Sequence, residues 1–208
     1  MTKIAQGCAL FKEGIMVDYK KAASYLGVEE ASVKAIASVE SNGAGLTKDT
    51  QGNLVPKILF ERHIMFQRLR DYTPIKSADM AVKYPDIVNP KAGGYKGGLS
   101  EHERLQRAVL IDRNTALESA SWGQFQIMGY HWKALGYLSV QAFVNTMYSE
   151  QGQLEAFVKF IKADKRLVKA LQEKDWVTFS RIYNGPAYQK NNYHIKMKEA
   201  YEKFSKES

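Results

Sequence analysis

A chain of 208 residues that is 45% hydrophobic and 12% aromatic carries enough apolar side chain for one good-sized core, which excludes a disordered protein. Its single cysteine, Cys8, excludes an intramolecular disulfide, and its four histidines, His63, His102, His131 and His194, show no ligand spacing, so no metal and no cofactor is expected. The formal charge of +8 points to a polyanionic partner, either nucleic acid, an anionic membrane face or a bacterial envelope.

Met1 to Lys12 lack an apolar stretch long enough for a secretory signal, and no apolar run reaches the ~18 residues of a membrane span, so a soluble, cytosolically made chain is expected. Asp18 is placed to cap a helix with Tyr19, Ala22, Ala23 and Leu26 on one stripe and Gly27 closing it. The next segment sets Val33, Ile36, Ala37 and Glu40 at i, i+3, i+4 and i+7, so Glu40 shares the face that is to be buried. Asn42 and Gly43 tolerate the left-handed conformation that closes a helix, leaving Glu40 in the last turn, where the negative end of the helix dipole opposes a second negative charge. Burial and dipole both push its pKa upward. A carboxylic acid still protonated near neutrality can protonate a leaving oxygen, the general-acid role in glycoside hydrolysis. A solvated glutamate ending an amphipathic helix has the same spacing and stays open as a reading.

Leu46 to Pro56, with Gly52-Asn53 as a turn, reads as a small hairpin or irregular ribbon. From Lys57, the pattern Ile58, Leu59, Ile64, Phe66 and Leu69 predicts another helix. Residues 71–99 hold three of the five prolines and the pairs Gly93-Gly94 and Gly97-Gly98; they read as flexible surface structure with room for a short helix over Ser77 to Lys83. Ser100-Glu-His-Glu103 is a capping-box pattern opening a helix through Leu105, Ala108, Val109 and Ala116. Further helices are predicted after Ser139, after Gly152, through Leu167 to Leu171, from Asp175 to a stop at Asn184-Gly185-Pro186, and from Ala187 to Phe204. With strand-like alternation only around residues 46–56, the fold class is mainly α with one small β element, in a single domain.

Three separated stretches set polar residues in apolar surroundings: Glu40-Ser-Asn-Gly, Ser121-Trp-Gly-Gln-Phe-Gln-Ile-Met-Gly129, and Ile182-Tyr-Asn-Gly-Pro186. Gln124, Gln126, Tyr183 and Asn184 offer hydrogen-bonding groups, and Trp122, Phe125 and Tyr188 offer flat faces, a mix that suits a carbohydrate groove, although ordinary core packing explains the aromatics equally well. A second acid is open between Asp49, beyond the glycine-rich bend, and Glu61, whose neighbour Arg62 favours an ion-paired structural role.

Val39-Glu40-Ser-Asn-Gly43, Ile58-Leu-Phe-Glu-Arg-His63, Ser121 to Gly129 and Tyr183-Asn-Gly-Pro186, taken jointly, resemble the N-acetylmuramidase family of bacteriophage endolysins and related prophage proteins. That family belongs to the lysozyme-like group, with goose-type lysozymes and lytic transglycosylases. The resemblance implies an α+β, lysozyme-like fold with a large helical lobe and a small lobe carrying a short hairpin. It implies that Glu40 is the general acid cleaving the β-1,4 bond between N-acetylmuramic acid and N-acetylglucosamine, with Gln126, Tyr183 and Asn184 lining the cleft near it; the substrate is expected to lie between Glu40, the Gln124 to Gln126 segment and Tyr183-Asn184. Lys48-Asp-Thr-Gln-Gly52 is similar to the hairpin of T-even phage lysozymes, which implies Asp49 as second acid, although Val55 stands where that pattern has threonine. One catalytic domain over residues 1–208 is expected, acting as a monomer on periplasmic peptidoglycan after release from the host cytoplasm, with weak electrostatic contact to the anionic envelope and no nucleic-acid partner. The rival within the group is a lytic transglycosylase, which leaves a 1,6-anhydro-muramic product and needs no second acid.

Overall fold

A computed structural model describes residues 18–41 and 43–207. Cys8 and Asn42 lie outside the described residues. The first helix, α1 (Tyr19–Leu26), begins where the Asp18 carboxylate accepts from Lys21 N–H at 2.8 Å and ends on Gly27, left-handed at φ 71. It packs on α2 (Glu30–Glu40), whose Val33, Ala35 and Ile36 are fully buried. The C-terminal helix α11 (Tyr193–Phe204) closes over α2 from another side, so the Glu40 helix runs through the middle of the helical lobe.

After Glu40 the chain leaves the helix through Ser41, already extended at φ −68 and ψ 122, and Gly43 is left-handed at φ 72. Strands β1 (Leu46–Lys48) and β2 (Leu54–Pro56) form the expected hairpin, with Thr47 opposite Val55. The Asp49 side chain builds its turn by accepting from Gln51 N–H at 2.9 Å and Asn53 N–H at 2.8 Å.

The helix expected from Lys57 is corrected. Ile58–Phe60 is a strand, β3, and the helix α3 starts only at Arg62, ending at Tyr72. β3 lies antiparallel to β4 (Ala120–Trp122), which pairs with β5 (Ile127–Met128) to give a three-stranded sheet in that order. Strand structure is therefore not confined to residues 46–56. The three short strands of this sheet are mostly buried on both faces, so β3 and β5 are apolar throughout and β4 buries Ser121 between Ala120 and Trp122, with no exposed face to give alternation.

The 71–99 stretch holds the short helix α4 (Ser77–Lys83), as expected, but it is strapped to the body. Arg62 donates to the carbonyls of Lys91 at 3.0 Å and Ala92 at 3.1 Å, and Ile87 and Val88 are buried. Ser100 makes no capping box: α5 (Ser100–Val109) has no side-chain cap. Glu101 turns inward instead, accepting from the N–H groups of Phe60 (3.0 Å), Lys96 (2.6 Å) and Gly97 (3.0 Å) and from Arg104 Nη1 (2.7 Å). Burial works against its charge, and these donors overcome that to hold the carboxyl below its ordinary range. Arg104, itself buried, completes the clasp by donating to the carbonyls of Phe60 and Asp86.

The helix expected through Ala116 breaks at Leu110 to Asp112, and a new one, α6 (Arg113–Glu118), starts where Asp112 caps Thr115 N–H at 2.8 Å. The remaining helices are α7 (Val140–Thr146), α8 (Glu150–Ala163), α9 (Lys165–Gln172) and α10 (Trp176–Asn184). Ser139 and Asp175 cap α7 and α10 as their positions predict. The last predicted helix is shortened: Pro186–Asn191 form a 3-10 turn, and Asn192 goes left-handed before α11 begins. The result is a mainly α, lysozyme-like α+β fold, and no helix among the described residues is long and apolar enough to cross a membrane.

Candidate active site

Glu40 is the last residue of α2 and is half-buried. Asn184, the last residue of α10, donates from Nδ2 to Glu40 Oε1 at 2.8 Å. Burial pushes the Glu40 carboxyl up to about 7, and the Asn184 hydrogen bond opposes part of that rise. An acid raised that far keeps its proton well above the ordinary carboxylate range, and it is held by an amide from a helix near the other end of the chain.

Tyr183 stands beside this pair. Its ring stacks on Phe179 at 5.8 Å between centroids and meets Phe157 and Phe160 edge-on. Burial first, and then the nearby Glu40 charge, drive its phenol well above the ordinary tyrosine range, so the hydroxyl is a fixed neutral group next to the acid. The turn at Asn184-Gly185-Pro186 stops α10 where Asn184 can reach Glu40, with Gly185 at φ 73.

Gln124 and Gln126 lie in the tight turn joining β4 to β5, where they share no helix. Gln126 adopts φ 49, unusual for a residue with a side chain. Its amide holds that turn: Nε2 donates to Gly123 O at 2.7 Å, and Oε1 accepts from Ser121 Oγ at 2.7 Å. Gln124 is fixed through its backbone N–H, which donates to Oε1 of Gln153 at 2.7 Å. Trp122, Phe125 and Tyr188 are buried, so these three are packing residues and present no open face to a sugar. The indole Nε1 of Trp122 donates to Leu117 O, and Phe125 stacks on Phe157 at 4.0 Å.

Asp49 sits at the hairpin. Asn53's side-chain amide, and behind it the backbone N–H groups of Asn53, Gln51 and Gly52, hold its carboxyl below the ordinary aspartate range. It is an ionised carboxylate, chemically opposite to Glu40. Glu61 accepts from the Tyr95 hydroxyl at 2.8 Å and lies 3.2 Å from His63 Nδ1, so its partners are local and Arg62 points elsewhere, to the 91–92 carbonyls. Among the described residues no group of three or more His, Cys, Asp or Glu is clustered as a metal-ligand set.

One residue of the site went unread in the sequence. Gln153, 1% exposed, ties the Gln124 turn to the bend at Gly45. The signal was there: on α8 it shares a stripe with Phe157 and Phe160, at i+4 and i+7, where a lone amide on an apolar face calls for partners.

The structure brings Glu40, Asn184 and Tyr183 together, and an acid with its pKa near 7 and an ionised carboxylate are the kinds of group that glycosidase chemistry uses. The chain matches the N-acetylmuramidase family over residues 29–205. Among solved structures it is similar to a Burkholderia AP3 phage endolysin, with a TM-score of 0.81 and 48% identity over 91% of this chain and 69% of that one. No curated protein matches. The sequence motifs, the fold and the family match agree, and the chain belongs to the N-acetylmuramidase family of glycoside hydrolases that act on peptidoglycan.

Proposed function

We propose that this enzyme is a phage endolysin that cleaves the β-1,4 bond between N-acetylmuramic acid and N-acetylglucosamine, with Glu40 as general acid. The observation that carries this is the half-buried Glu40, raised to about 7 and hydrogen-bonded to Asn184. Protonated Glu40 gives its proton to the glycosidic oxygen as the bond from the muramic anomeric carbon breaks. Water adds to that carbon and loses its proton to a base; Asp49, ionised, is the residue assigned to orient it. Gln124, Gln126, Tyr183 and Asn184 hold the glycan strand over the acid. Residues 29–205 act as one catalytic unit, and the +8 charge adds attraction to the anionic envelope reached on host lysis.

A lytic transglycosylase is the second reading, favoured by one observation: both Asp49 carboxylate oxygens already accept bonds within the hairpin turn. In that case the muramic 6-hydroxyl attacks the anomeric carbon and Glu40 takes its proton. Mass spectrometry of purified peptidoglycan digested by wild type, Glu40→Gln and Asp49→Asn separates the two. Hydrated muramic ends, lost in both variants, support the hydrolase; anhydro ends, lost only in Glu40→Gln, overturn it in favour of the transglycosylase.

A further inference from the structure

Gln153 is the buried link between the two lobes. Its Oε1 accepts from Gln124 N–H at 2.7 Å, and its Nε2 donates to Gly45 O at 3.2 Å and to Met147 O at 2.7 Å. Met147 precedes α8 in the helical lobe, Gly45 is the root of the hairpin, and Gln124 belongs to the β4–β5 turn. The backbone closes the circuit: Lys57 N–H donates to Gly45 O at 2.9 Å, and Gly123 N–H donates to Lys57 O at 2.8 Å. Hairpin root, start of β3, polar turn and helical lobe are thus joined in one ring of hydrogen bonds that passes through a single side chain.

The surrounding glycines leave room for that amide and nothing more. A Cβ on Gly45 would run into Gln153 Oε1 and come within 2.8 Å of Gln124 Cβ. A Cβ on Gly123, which is left-handed at φ 72, would come within 2.6 Å of Gln153 Cδ. Burying an amide is unfavourable unless its groups are paired, and here three separate segments supply the pairing.

We propose that Gln153 is a positioning residue for catalysis, fixing the hairpin and the Gly123–Gln126 turn against the helical lobe and, through them, the glycan strand over Glu40. It acts through Gly45 and Gln124 and not on the reacting atoms. The inference rests on the muramidase reading above.

Gln153→Glu keeps the shape and replaces the donor to the Gly45 and Met147 carbonyls by an oxygen; Gln153→Asn keeps the amide and shortens its reach. Steady-state release of reducing ends from purified peptidoglycan, per folded molecule by circular dichroism and well below each melting midpoint, gives kcat and KM. Both variants are expected to lose at least tenfold in kcat, while the alkaline limb of the pH profile stays where wild type has it, because Glu40 and Asn184 are untouched. Gly45→Ala is expected to reproduce the kcat loss, and the double variant Gly45→Ala, Gln153→Ala to be no slower than Gln153→Ala alone. Unchanged kcat in folded Gln153→Glu and Gln153→Asn overturns the inference and leaves Gln153 a stabilising residue. A wild type that releases no muramic ends of either kind overturns the muramidase reading, and the inference with it.

Discussion

Asn184 and Glu40, 144 residues apart, meet in a 2.8 Å hydrogen bond from Nδ2 to Oε1. The bond favours the charged form of Glu40, while burial favours the neutral form more strongly, and the balance puts the acid at about 7. Asn184→Ala removes the opposing donor, so the Glu40 pKa rises further. The alkaline limb of kcat/KM is expected to move upward by a fraction of a pH unit, with kcat falling about fivefold from lost orientation, given the ~1 kcal/mol typical of one hydrogen bond. A pH–rate profile of Asn184→Ala against wild type checks both; an unmoved limb would mean that this bond does not tune the acid.

The same shift makes stability depend on pH. In the unfolded chain Glu40 loses its proton near 4.5, and in the folded chain it keeps it to about 7. Between those values the native state binds more protons, so this group's contribution is fully present below 4.5 and is lost as pH rises through 7. Glu40→Gln abolishes the titration. Relative to wild type, this variant is expected to gain roughly 3 kcal/mol between pH 4.5 and pH 8, taking ~1.36 kcal/mol per pKa unit. Urea denaturation of both proteins at those two pH values measures it, and the variant should also be inactive at either.

Asp49→Asn tests the hairpin carboxylate apart from the product analysis. The amide retains an acceptor for Gln51 and Asn53 N–H, so the hairpin keeps its turn. As the water-orienting group, Asp49 is expected to account for about 10²-fold in kcat, the lower end for general base catalysis. Full activity with an unchanged melting midpoint would assign it to the turn alone.

The Glu101–Arg104 clasp is buried at both ends and holds β3 to the strap at residues 96–97. Arg104→Met leaves a buried carboxylate without its charge partner, which is expected to destabilise the fold by about 3–5 kcal/mol. Glu101→Gln keeps the shape and one acceptor and is expected to be milder. Chemical denaturation at pH 7 ranks them, and a drop below ~1 kcal/mol for Arg104→Met would show that solvent reaches the clasp.

What the sequence alone determined is local. Caps at Asp18, Ser139 and Asp175 are set by a side chain reaching an N–H three residues on. The stripe that carries Glu40 into the core needs only the helical period, and the hairpin needs only its turn chemistry at Asp49 to Asn53. These contacts close within one turn of chain, so composition and spacing specify them. The tertiary structure decided the rest. Ile58–Phe60 became a strand because Ala120–Trp122 was there to pair with it, sixty-odd residues away. The Ser100–Glu103 capping box did not form, and Glu101 beside it turned inward because Phe60 N–H and the Arg104 guanidinium were there to pair with its carboxylate. The acidity of Glu40 required Asn184 and the packing around α2, and the joint between the lobes required Gln153 to find Gly45, Gln124 and Met147. Burial and partnership of polar groups are properties of the packed chain, and in this enzyme they set the chemistry that the spacing could only suggest.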